Sequence, residues 1–141
     1  MIKIQQAIVT LIAAIISGIL ATIITIYVNK YNEGIRIKQM LIDDIFGFKY
    51  QLTSIVQNNK IDIYSQGFVR AMNRVTIVFC NDKNVLDALD KFYDTILIAD
   101  PMEKKNKSDE ALIVLIKEMC GSAHIKCDKW NDSRFKRTFN L

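Results

Sequence analysis

From Ala7 to Val28 the chain carries no charged side chain: AIVTLIAAIISGILATIITIYV. At about 1.5 Å per residue, a helix of this stretch is about 33 Å long and matches the ~30 Å hydrocarbon core of a bilayer. The core helix of a water-soluble protein shows a polar stripe, and this stretch has none. Its polar members are Thr10, Ser17, Thr22 and Thr25, whose hydroxyls can bond back to the helix's own carbonyls. A cleaved secretory leader has an apolar region of about 7–15 residues that ends in a small-x-small site. Here the run continues through Ile26, Tyr27 and Val28, and Tyr27 stands where an interfacial aromatic is expected. The reading is an uncleaved membrane anchor over residues 7–28, preceded by a short flank, 1–6.

Within that stretch the small residues are sorted. Thr10, Ala14, Gly18 and Thr22 follow one another at intervals of four, as do Ala13, Ser17, Ala21 and Thr25. At 3.6 residues per turn the two ridges are neighbours and form one face, on which Leu11 is a bulky intruder. Ile8, Ile12, Ile15, Ile16, Ile19, Ile23 and Ile26 crowd the opposite side. Small faces let two helix backbones approach closely in lipid, so these eight residues are expected to associate with another helix, a second copy of the chain above all.

Lys3 precedes the apolar run, and Lys30, Arg36 and Lys38 follow it. The more basic flank belongs in the cytoplasm, which puts the N-terminus outside and the longer C-terminal part inside. The three cysteines, Cys80, Cys120 and Cys127, are an odd number without a disulfide framework and favour a reducing compartment. The Ile, Lys and Asn bias suggests an AT-rich bacterial or phage genome, so the expected location is a bacterial plasma membrane, crossed once. A net charge of +4 over 141 residues is too mild to imply nucleic acid.

Beyond a hinge at 29–34, centred on Glu33-Gly34, residues 35–121 read as one small helical domain and 122–141 as a basic aromatic tail. Ile37, Leu41, Ile45, Phe48, Leu52 and Ile55 recur at threes and fours, an amphipathic helix that Asn58-Asn59-Lys60 ends. Phe68, Met72, Val75 and Phe79 mark a second helix, although Val75 to Phe79 is also strand-like. Asp82 is the expected cap of a third helix, carrying Val85, Leu86, Leu89, Phe92, Tyr93 and Ile96. Pro101 and Glu103 to Ser108 are expected as a loop; Ser108 would cap a fourth helix through Leu112, Leu115, Ile116 and Met119, with Gly121 as its stop. The fold class is all-α: an N-terminal transmembrane helix followed by a small helical bundle.

The stretch FVRAMNRVTIVFCNDKNVLDAL, Phe68 to Leu89, resembles an uncharacterised bacterial family, a domain of unknown function. The similar pattern is Ala71-x-Asn73, then Val75, Val78 and Phe79, then Asp82, Lys83 and Val85 opening the next helix. That resemblance implies a membrane helix plus a small helical cytoplasmic domain. It implies no activity and transfers no catalytic residue.

Chemistry is mostly absent. There is no Gly-rich phosphate loop, nucleophile elbow or His-Glu zinc motif, and His124 has no histidine partner for acid–base work. Asp87, Asp90 and Asp94 share a helix side with Lys83 and Lys91, an ordinary ladder of charge pairs; Asp43 and Asp44 are adjacent and diverge. Cys120, His124 and Cys127, with Cys80 as a fourth, are the one set of zinc-type donors. Without a Cys-x-x-Cys knuckle, and with Cys80 and Cys120 closing apolar helices, they read as core thiols beside an incidental histidine. No metal or cofactor is expected. The tail reads first as a solvated basic segment and next as one that touches anionic lipid, with Lys126, Lys129, Trp130, Arg134, Lys136 and Arg137 the lipid-contacting candidates. No recognisable nucleic-acid fold supports a third reading, contact with phosphates.

The expectation is therefore a membrane-anchored, non-enzymatic interaction module that self-associates through its span and binds a cytoplasmic protein. The alternative is a membrane-perturbing effector of a phage-defence or toxin-like system, weakened by the lack of a polar stripe to line a pore.

Overall fold

The computed structural model describes residues 2–52 and 65–127, and among these every regular element is a helix. They are α1 (Ile2–Phe48), α2 (Gln66–Val78), α3 (Lys83–Ile96) and α4 (Pro101–Ser122). The all-α class holds. The chain divides into two compact units, Met1–Gly34 and Ile35–Leu141.

The first unit is helical and has no core. Every residue from Lys3 to Gly34 is exposed, the isoleucines included. The hydroxyls of Thr10, Ser17, Thr22 and Thr25 each donate to the carbonyl four residues back, at 2.8–2.9 Å. These bonds give each of the four aliphatic hydroxyls an acceptor within the helix, without recourse to water. Residues 29–34, expected as a hinge, are helical. A lone glycine in a helix costs only about 1 kcal/mol against alanine, and a Cβ placed on Gly34 would meet nothing within 4 Å.

The second unit has a continuous core. From α1 come Leu41, Ile42 and Ile45, with Leu52 following; α2 supplies Phe68, Ala71, Met72, Val75 and, at its end, Phe79. α3 supplies Val85, Ala88, Leu89 and Phe92, and α4 Leu112, Leu115, Ile116 and Met119 among others. The rings of Phe68 and Phe92 meet edge to face, their centroids 6.2 Å apart. Ile37 and Tyr93, both expected on core-facing stripes, are exposed instead, and Phe48 is half-buried. Each of the first two stands at the margin of its stripe, where a helix turns its side chains into water. Ile55 and the expected stop at 58–60 lie outside the described residues.

Local chemistry sets the helix ends. The strand-like run Val75 to Val78 is helical, because Ala71, Met72 and Val75 already share one buried face. Ser65 precedes α2 but makes no side-chain capping bond. The buried Gln51 acts in its place: its Oε1 accepts from the Phe68 N–H at 2.9 Å. Gly67 lies beside it in a tight place, where an added Cβ would stand 3.0 Å from the Phe48 ring and the ring would have to give way. Asp82 caps α3 as expected, accepting from the Val85 N–H at 3.4 Å.

The expected loop at 101–108 is instead the first two turns of α4. Asp100 is its cap, accepting from the Glu103 N–H at 2.7 Å, and Pro101 occupies the first helical turn. Proline is tolerated there because that N–H lacks a helical partner anyway, and Glu103 favours the positive end of the helix. Ser108, the expected cap, is a buried mid-helix residue. At the other end α4 passes Gly121 and stops at Ser122. His124 takes the left-handed conformation, φ 57°, that glycine usually fills. The Ile125 N–H bonds the Cys120 carbonyl at 2.8 Å and the His124 N–H that of Gly121 at 3.2 Å, a six-to-one and five-to-two pair. The domain expected to close at 121 thus extends further, because Ala123 and Cys127 are in the core.

Candidate functional site

Three places carry chemistry or free surface: the first unit, the end of α4, and a cleft between α2 and α3.

In the first unit the small face is present as residues on one helix. Thr10, Ala13, Ala14, Ser17, Gly18, Ala21, Thr22 and Thr25 are all exposed. A Cβ added to Gly18 would touch nothing within 4 Å, so no contact inside the chain requires a glycine there. Among the described helices α1 is the one long and apolar enough to cross a membrane, and none of that stretch is buried.

At the end of α4, the reversal at His124 returns the chain to the core. Cys120 and Cys127 are buried, whereas His124 and Cys80 are exposed. Burial pushes the Cys120 thiol up to about 12, helped by a hydrogen bond between the Cys120 and Cys127 thiols that keeps the proton on Cys120. Two of the four zinc-type donors therefore meet. Among the described residues no three His, Cys, Asp or Glu side chains gather into a group that could hold a metal ion. The turn is clamped to α1: Lys38 Nζ donates to Ser122 Oγ at 2.7 Å, and Gln39 Nε2 to the Ala123 carbonyl at 3.3 Å. The same ammonium stands 5.1 Å from the Phe79 ring centre.

The cleft has a volume of about 160 Å³ and is lined chiefly by Leu52, Phe68, Met72, Phe92, Tyr93 and Ile96. Asn73 and the Tyr93 phenol are its polar members. Burial, and then the nearby Asp90 carboxylate, raise the Tyr93 phenol above its usual range and keep it protonated. The surface of the cleft is almost wholly apolar, and its lining supplies no acid–base couple.

The acidic residues are where the charge ladder put them. Asp87, Asp90 and Asp94 are exposed, and Lys83 pairs with Asp87. Asp44 pairs with Arg74 of α2 at 3.1 Å, an exposed contact of the kind worth under about 1 kcal/mol. Lys126 is exposed, while the other tail candidates, Lys129, Trp130, Arg134, Lys136 and Arg137, lie outside the described residues.

Sequence reasoning missed the thiol contact and the buried Gln51. The first had a signal, since a residue seven positions after a helical cysteine returns to it if the chain reverses just beyond the helix. The second had none, because Gln51 acts on a residue seventeen positions away.

No protein of curated function and no solved structure matches the chain. Residues 2–134, nearly its whole length, match one family, and the chain accordingly belongs to the family of unknown function DUF6680.

Proposed function

We propose that the protein is a membrane-anchored, non-enzymatic interaction module. Residues 7–28 cross the bilayer, and the helical domain from residue 35 onward binds a protein partner on the cytoplasmic side. The observation that carries this reading is the complete exposure of the apolar stretch. Ile8, Leu11, Ile12, Ile15, Ile16, Ile19 and their neighbours are half or more exposed, while the second unit has buried its own core. An apolar surface of that extent is sustained in lipid, not in water. The back-bonded hydroxyls suit the same environment.

The small face makes the span self-associating in this reading. Gly18 and the alanines beside it let a second helix come close, and packing takes the place of lipid contact. Crosslinking of the full chain in membranes tests it. The parent gives a crosslinked dimer or larger species, and Gly18→Ile reduces it at least several-fold. Because a Cβ added at Gly18 would meet nothing within 4 Å in its own chain, this substitution acts on association and leaves the fold intact. A monomeric parent, or a crosslinked species indifferent to Gly18→Ile, refutes the self-associating span.

A further inference from the structure

Cys120 and Cys127 flank the turn that ends α4, and the bonds from Ile125 and His124 back to Cys120 and Gly121 fold the chain so that the two thiols meet. Both are buried, at 0% and 4% exposure, within one core cluster, and Lys38 and Gln39 of α1 hold the intervening residues. Cys80 is exposed. The three cysteines are thus a pair buried in one core and an exposed single, and an odd count ceases to argue for any compartment.

We propose that Cys120 and Cys127 form a redox pair, which a low-molecular-weight disulfide oxidises to an intramolecular disulfide that closes the α4 turn covalently. In the first step the Cys127 thiolate attacks one sulfur of the small disulfide. That S–S bond breaks, and the departing thiolate takes up the proton Cys127 released. In the second, Cys120 gives up its proton and attacks the Cys127 sulfur of the mixed disulfide, expelling the second small thiol, which takes that proton. The balance is two protein thiols oxidised and one small disulfide reduced to two thiols. Both protein thiols are buried whereas Cys80 is exposed, so the exchange runs through local opening of the turn and is slower than reaction at Cys80. The closed turn would keep Ala123 and Cys127 in the core and hold the contacts to Lys38 and Gln39.

The test uses full-length reduced protein in detergent, exposed to glutathione disulfide, quenched with acid, denatured, alkylated and cut with trypsin. Cleavage after Lys126 separates the two cysteines, so their linkage shows as joined peptides lacking two hydrogens. The expected result is that linked species, forming several-fold faster at about pH 9 than at about pH 7, with Cys80 carrying a glutathione adduct. Cys80→Ser leaves the linkage unchanged, and Cys127→Ser abolishes it. Recovery of Cys120 and Cys127 both alkylated, as separate glutathione adducts, or joined to Cys80, once the parent's Cys80 has reacted, overturns the proposal.

Discussion

Residues 3–34 and residues 35–48 of α1 share a backbone geometry and have opposite fates. In the first stretch all side chains are exposed; in the second Leu41, Ile42 and Ile45 are buried to within 3%. The difference is the distribution of apolar residues. An apolar surface that covers the whole circumference has no direction in which to bury itself within a small protein, so it needs an apolar solvent. A stripe beside charged Arg36, Lys38, Asp43 and Asp44 has such a direction and finds a core. Helix formation alone therefore says little about what a helix is for.

Charge placed in the middle of the first stretch should break this comparison most sharply. Ile16→Lys with Ile19→Lys adds two ammonium groups at the bilayer centre, about 3 kcal/mol each against insertion. Membrane fractionation is expected to show loss of retention, with the thermal unfolding of the second unit shifted by less than about 0.5 kcal/mol. Full retention of the double variant would mean that the apolar circumference is not what holds the protein in lipid.

The reciprocal change is Phe92→Ala. It empties a 2%-exposed position and deletes the edge contact to Phe68, at a cost of about 3–5 kcal/mol in chemical or thermal unfolding. Membrane retention should be unaffected. Gln51→Ala is expected to be milder, about 1–3 kcal/mol, because the buried Phe68 N–H loses its acceptor. An effect near zero would show that water replaces the amide.

The smallest expected effect is stabilising. Lys49 Nζ is buried without a hydrogen-bond partner among the described residues, and burial lowers the Lys49 pKa against the opposing pull of Asp109. A lysine whose folded pKa is depressed destabilises the fold while it stays protonated. The penalty is full below the folded pKa and fades as pH rises through it towards 10.5. Lys49→Met should therefore gain about 1 kcal/mol or less at neutral pH, discounted for partial solvent screening. A pH series of unfolding midpoints checks that the gain shrinks on the alkaline side.

Much of this fold was legible wherever one periodicity acted alone. Phe68, Met72, Val75 and Phe79 repeat at helical spacing, and all are buried. Asp82 stands before an apolar pattern and caps α3. Reading failed where two local signals competed. Pro101 and the polar Glu103 to Ser108 resemble a loop by composition, yet Asp100-Pro101 is equally a helix start, and the buried faces of Lys104 and Ser108 continue the α4 pattern. Gly121 was the obvious stop, but the left-handed position fell at His124, where the reversal satisfies the Cys120 and Gly121 carbonyls. The small-residue face was readable as a pattern because it depends only on spacing. The Cys120–Cys127 contact and the Gln51 cap depend on how the chain reverses and on tertiary neighbours, which periodicity does not encode.

The most direct measurement is alkaline extraction of membranes from cells making the full-length protein, followed by detergent. An apolar helix that has exchanged water for lipid stays in the membrane pellet at high pH and enters solution only when detergent supplies another apolar phase. Recovery of the intact chain in the aqueous supernatant before any detergent is added would contradict the membrane anchor on which the proposed function stands.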